Sequence, residues 1–300
     1  MTHIVSDVRR VPVGPIELED AICPTNLYTC EKPYTATILS IRKIYSCLQC
    51  DDTIYEIVFA HCGKLSYWEG QAFGVMRPNP DDPSVPGCVK ELRNIFVASS
   101  RYGDDFNGKT ATIVVPLDII DKTLKYLCLE ASPGDHLQLV GPTFEATLLG
   151  DYSPTATHIF VAKSGAAIAP FRAHLRRFFK EDISSFKFSG NVLLFYGAKN
   201  DPNCRQYYDE FKQYKEDYPR NFAYKYFNDL LDGKADFTYV FQKVVHDGAY
   251  IYLVGPQGMV DEVDSVFRGF VDSPEDQDKW TGIKDELVRK NQWRAHVYYY

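Results

Sequence analysis

Two groups of residues have the types and spacing for chemistry. Cys47-Leu-Gln-Cys50 is spaced like a metal-ligand pair or a redox dithiol. A tetrahedral thiolate site needs a second such pair, and the cysteines at 23, 30, 62, 88, 128 and 204 do not form one. The pair therefore reads as two free thiols on a hairpin, and no metal site is expected. The second group is cationic. Arg172, Arg176, Arg177 and Lys180 share one side of a helical pattern whose other side is Phe171, His174, Leu175, Phe178 and Phe179. Such a face either docks an acidic protein or is solvated.

The elements that must position these groups fall into two rhythms. From about 33 to 150 the chain alternates short β-branched runs with turns. The runs are Thr35–Arg42, Thr53–Phe59, Thr110–Val115 and His136–Val140, separated by Gly, Pro and Asp. That pattern predicts a closed or nearly closed antiparallel barrel. After a linker at 151–156 come continuous apolar runs, His158–Ala162, Asn191–Tyr196 and Tyr250–Val254, each ending at a glycine-containing turn. Buried parallel strands read this way. With helices between them, one begun by Pro170 and one carrying Met259, Val260, Val263, Val266 and Phe267, they predict a doubly wound sheet. Its ligand crevice lies at the carboxyl ends of the strands.

Composition fits this plan: of 300 residues, 45% are apolar, which is enough for a core in each half. The net charge of −7 weighs against a nucleic-acid surface. No apolar run approaches the roughly 18 residues of a transmembrane helix, so a soluble chain is expected. Eight cysteines are too few for a disulfide scaffold of this length, which points to a reducing compartment. Arg9 and Arg10 hint at a transit peptide, whereas Asp7, Glu17, Glu19 and Asp20 oppose one, so the residues leave the compartment open.

The local motifs carry a resemblance. Lys64-Leu-Ser-Tyr-Trp-Glu-Gly-Gln-Ala-Phe-Gly-Val75 resembles a barrel segment of plant-type ferredoxin–NADP⁺ reductases. Arg93-Asn-Ile-Phe-Val-Ala-Ser99-Ser100 resembles that family's flavin-binding run. Gly134-Asp135, Gly141-Pro142, Ile168-Ala-Pro-Phe-Arg172, Tyr196-Gly197, Val254-Gly-Pro-Gln-Gly-Met259 and Trp293 with an aromatic tail follow in order. The resemblance covers about 33 to 300. It implies a two-domain ferredoxin reductase-like fold, an antiparallel FAD-type barrel (33–150), a linker (151–156) and an NADP-type α/β domain (157–300). It leaves residues 1–32 as an N-terminal extension with no family counterpart, a partner-binding arm or a wrapped segment. It also implies hydride transfer from NADPH to FAD, then single electrons to ferredoxin, and a plastid or mitochondrial location.

The resemblance places Arg93 on the FAD pyrophosphate, with Ser99 and Ser100 in the same run, but several positions depart from the family. Ile95 stands where a tyrosine stacks on the flavin, and Phe96 where a serine hydrogen-bonds near N5. The adenine-stacking tyrosine falls near Ile120, and the phosphate loop after it is shortened to Asp121–Lys125. There Asp121 would repel phosphate, and Lys122 or Lys125 would attract it. Lys163-Ser-Gly165-Ala-Ala167 replaces a glycine-rich dinucleotide loop, and Val254 a cysteine beside the nicotinamide. Phe227-Asn228-Asp229 lies where the 2′-phosphate pair is expected. His296 aligns with a proton-relaying glutamate, and either Tyr298 or Tyr300 with the tyrosine that caps the flavin. These departures weigh against FAD and NAD(P)H binding. They predict a degenerate family member, a structural or partner-binding subunit whose partner is an acidic ferredoxin or other subunits of a complex. The alternative is a working FAD-dependent NAD(P)H oxidoreductase.

Overall fold

The computed structural model describes residues 10–19, 22–47, 52–79, 81, 86, 91–143, 149, 154–197, 206–227, 234–273 and 278–298. In chain order the elements begin with strands β1 (Val11–Pro12), β2 (Tyr34–Cys47), β3 (Asp52–Ala60), β4 (Ala72–Met76), β5 (Arg93–Phe96) and β6 (Thr110–Pro116). Helix α1 (Lys122–Lys125) continues as a wider turn to Glu130, followed by β7 (His136–Thr143) and β8 (Thr157–Lys163). Helix α2 (Ala169–Leu175) likewise continues to Lys180, before β9 (Glu181–Asp182) and β10 (Asn191–Gly197). Then come α3 (Tyr208–Asp217), β11 (Phe222–Phe227), α4 (Lys234–Val245), β12 (Tyr250–Pro256), α5 (Gln257–Val271), α6 (Lys279–Arg289) and β13 (Trp293–Tyr298). Among the described residues no helix is long and apolar enough to cross a membrane, and no cluster of three metal-ligating side chains occurs. The Cys47–Cys50 motif lies largely outside the described residues.

The chain divides into two compact units, 1–148 with 169–187, and 149–168 with 188–300. In the first, a six-stranded antiparallel sheet runs in the order β5-β4-β7-β2-β3-β6. It closes on itself where Val97, just beyond β5, bridges Ile113 of β6. Alternation places Ile38, Ile57, Phe59, Phe73, Val75, Ile113, Leu137 and Leu139 inside, where they form one core. The extension before residue 33, where it is described, wraps this barrel. Tyr28 bridges Gly141, and Gln71 Nε2 donates to the Pro24 carbonyl at 2.6 Å.

The cationic helix also belongs to this unit, and the structure corrects the reading of its charged side. Arg172, Arg176 and Arg177 are buried and ion-paired, the first two with Asp104 at 3.2 and 3.1 Å and the third with Glu19. They do not form an open docking face. Carboxylates distant in sequence meet each guanidinium, which is how a charge becomes tolerable inside a protein.

In the second unit five parallel strands run β11-β10-β8-β12-β13. The strand order reverses between β8 and β12, which defines the crevice at their carboxyl ends. The apolar stripe of α5 packs as expected, with Met259, Val263 and Phe267 fully buried. Helix α6 follows and seats Trp280 against Phe267 and Trp293 at ring separations of 5.2 and 5.6 Å.

Candidate functional site

The residues singled out by sequence fall at two places, one in each unit. In the barrel, Arg93 opens β5 and is partly exposed. Its Nε donates to Asp121 Oδ2. The other oxygen of Asp121 accepts from the Leu124 amide at 2.9 Å and so caps α1. A guanidinium and a helix-start amide are the donors a phosphate would use, and here one carboxylate of the chain takes both. Lys122 Nζ pairs with Glu91 at 3.0 Å, and Lys125 with Glu130 at 3.0 Å. The loop's cations therefore also have internal partners.

The rest of the run is committed to the fold. Ile95 packs in the barrel core with Phe73 and Val97, so it does not cover a ring on the outer face. Adjacent strand residues point to opposite faces, which puts Phe96 on the other side, 7% exposed. Ser99 Oγ lies 2.9 Å from the Tyr67 hydroxyl and accepts from the Thr112 amide at 3.0 Å. Ser100 Oγ donates to Glu181. Both serines are fully buried. Ile120, near the expected adenine contact, is 89% exposed.

In the parallel sheet, Lys163 ends β8 at the crevice. Its Nζ lies 3.3 Å from Glu262 of α5, so the pair spans the strands at the switch point. A Cβ at Gly197 would meet the Lys163 side chain at 3.1 Å, and one at Gly255 the Lys163 carbonyl at 2.9 Å. The lysine stem thus lies against Gly197, and Gly255 packs on the backbone of the same residue. Ser164 has φ +111°, a conformation in which a side chain is strained and glycine is not. Gly165 is buried. Val254 is fully buried and pairs with His296 across β12 and β13. His296 itself is half-buried. Tyr298 ends β13 opposite Pro256, whereas Tyr300 and Asn228-Asp229 lie outside the described residues.

The most strongly perturbed groups were not singled out by sequence. Glu69 is buried against Arg101, which bonds both its oxygens, Nη2 to Oε2 at 2.8 Å and Nε to Oε1 at 3.2 Å. Despite burial, Arg101 and Arg177 hold its carboxyl well below the usual range. Asp104 is half-buried, and Arg172 and Arg176 bring it down to about 2. Glu181 goes the other way. Burial pushes it up to about 7, with Glu69 adding repulsion and Ser100, Arg176 and Arg177 opposing. Its Oε2 has no hydrogen-bond partner. Glu69 lies in the Lys64–Val75 segment, whereas no local motif marks Asp104 or Glu181.

Residues 161–265 match the family model of the oxidoreductase NAD-binding domain. The chain is 34% identical to the chloroplastic ferredoxin–NADP reductase embryo isozyme of Oryza sativa subsp. japonica, over 96% of this chain and 82% of that one. It is 35% identical to the chloroplastic root isozyme 1 of Arabidopsis thaliana, over 98% and 82%. Among solved structures it is similar in fold to ferredoxin–NADP⁺ reductase from Plasmodium falciparum with 2′P-AMP. That match has a TM-score of 0.70 and 16% identity, over 91% of this chain and 99% of the other.

Proposed function

Because the chain belongs to the ferredoxin–NADP reductase family, we propose that it is a member whose cofactor sites have been closed from within. In this reading it is a structural or partner-binding subunit of a redox or energy-converting assembly in a plastid or mitochondrion. Residues 33–150 are its flavin-type barrel, 157–300 its dinucleotide-type domain and 1–32 a wrapped extension. One observation carries the reading: the cation expected at phosphate in each half is turned onto the chain itself, Arg93 onto Asp121, and Lys163 onto Glu262 with its stem against Gly197. The residues present do not fit FAD or NADPH. Ile95 is turned into the core, Phe96 has no donor for a flavin nitrogen, and a lysine fills the glycine crevice. The plastid location rests on the chloroplastic relatives.

The names of those relatives favour a second reading, a working flavin-dependent NAD(P)H oxidoreductase that passes electrons to ferredoxin or another one-electron acceptor. One experiment separates the two. The protein is purified from its source, its visible spectrum is recorded, and NADH and NADPH are added in turn without oxygen. The proposal expects no flavin band near stoichiometry. Flavin that bleaches with either nucleotide overturns it in favour of the enzyme. Flavin that stays oxidised overturns the closed flavin site and leaves a cofactor that holds the fold.

A further inference from the structure

Residues 10–19 lie on the barrel unit as a strap. Beneath them four guanidinium groups, Arg101, Arg172, Arg176 and Arg177, face four carboxylates, Glu19, Glu69, Asp104 and Glu181. Three of those carboxylates come from the barrel and the helix segment, and the fourth, Glu19, comes from the strap. Arg177 grips both oxygens of Glu19, with Nη1 to Oε1 at 2.7 Å. The Tyr102 hydroxyl donates to the same Oε1 at 2.7 Å, and Arg101 Nη1 donates to the Leu18 carbonyl at 3.2 Å. The receiving groups are buried, Arg101 and Arg177 at 7% and 8% side-chain exposure and Tyr102 at 0%. The strap differs in this respect. Apart from Glu19, whose side chain is 9% exposed, its described side chains are partly or largely exposed, its pairing with β9 covers two residues, and the Gly14 amide bond to the Phe106 carbonyl adds one contact. Removing it would cost little apolar burial, yet would take from Arg177 and Tyr102 the carboxylate that both bond, which favours a replacement anion there.

We infer that Arg177, Arg101 and Tyr102 form a carboxylate-binding site that the strap occupies, and that an acidic segment of a partner protein displaces the strap to dock there. The strap shows the chemistry such a segment needs: Ile16-Glu17-Leu18-Glu19, an acid with an apolar neighbour that rests where a Cβ on Gly108 would meet Leu18 at 2.9 Å. This reading does not depend on whether flavin binds.

The test uses the full chain with Leu18→Ala and Glu19→Gln together, which weakens the strap without deleting it. Two fluorescent probes are titrated by anisotropy, the peptide of residues 10–22 and the capped tetrapeptide Ile-Glu-Leu-Glu. Both are expected to bind the variant at least tenfold more tightly than wild type, and to lose that binding when Arg177→Gln is added. Equal binding to both chains, or none to either, overturns the inference. Binding of the longer peptide alone overturns its partner half, because recognition would then need the β1 pairing. If the double variant does not fold, hydrogen exchange of wild type decides. Gly14 and Leu18 amides must open at least 100-fold faster than those of β6, and exchange only by global unfolding overturns the inference.

Discussion

Glu181→Gln should raise stability at alkaline pH and leave it unchanged in mild acid. Glu181 is fully buried, receives one hydrogen bond from Ser100 and leaves Oε2 without a partner. Its carboxyl is pushed up to about 7 from an ordinary 4.5, chiefly by burial. In the unfolded chain it loses its proton near 4.5, whereas in the folded chain it keeps the proton until near 7. The stabilising contribution of the neutral form is therefore complete below 4.5 and is lost as pH rises through 7. A shift of that size corresponds to about 3 kcal/mol at full development. Glutamine mimics the protonated acid in shape and has nothing to lose, so the variant should gain about that much over wild type by pH 8. In a unit of this size each kcal/mol moves the melting temperature by roughly 2–4 °C. The assay is thermal unfolding of wild type and variant from pH 5 to 8, read as the difference at each pH. His61, held below its usual value by burial, weakens both proteins as pH falls and cancels in that difference. Glu19, Glu69 and Asp104, all held low, titrate below the window. A difference that stays flat from pH 5 to 8 refutes the reasoning, because Glu181 would then ionise inside the fold without penalty.

Asp104→Asn should cost about 3–5 kcal/mol, since it strands Arg172 and Arg176, both 7% exposed, without their shared carboxylate; the urea midpoint of the barrel unit measures it. Trp280→Ala removes a fully buried ring and its 2.9 Å bond to Asp264, so the urea midpoint of the parallel-sheet unit should show a loss of about 3–5 kcal/mol.

Both sheets were legible because each leaves a local trace. The apolar runs at 158–162, 191–196 and 250–254 are continuous because those strands are covered on both faces, and they became β8, β10 and β12. The buried arginines were not legible. Helical spacing shows that Arg172, Arg176 and Arg177 share a side, but whether that side meets water depends on Asp104 and Glu19, 68 or more residues away. The facing of the β5 run was not legible for a related reason. A strand offers two faces one residue apart, so nothing local decides whether Ile95 or Phe96 turns inward. The pairing of Lys163 with Glu262 joins positions 99 apart in sequence.

Charge pairing alone does not close the dinucleotide crevice. Lys163 and Glu262 are about a third exposed, and a pair that open contributes about 0–1 kcal/mol, which a phosphate could readily repay. Shape is the stronger obstacle. The lysine stem lies on Gly197, where a pyrophosphate would need bare backbone, and Ser164 puts a side chain at φ +111° beside it. The two causes separate in NADPH fluorescence titrations of the intact chain. Glu262→Gln removes the competing carboxylate and leaves the stem in place, so affinity should change by no more than a few fold. Adding Lys163→Gly opens the floor, and affinity should then rise at least tenfold even though a cation has been lost. If the single substitution alone restores binding, the site is closed by charge and the steric account is wrong. If the double variant gains nothing, the closure extends beyond position 163 to the strained serine.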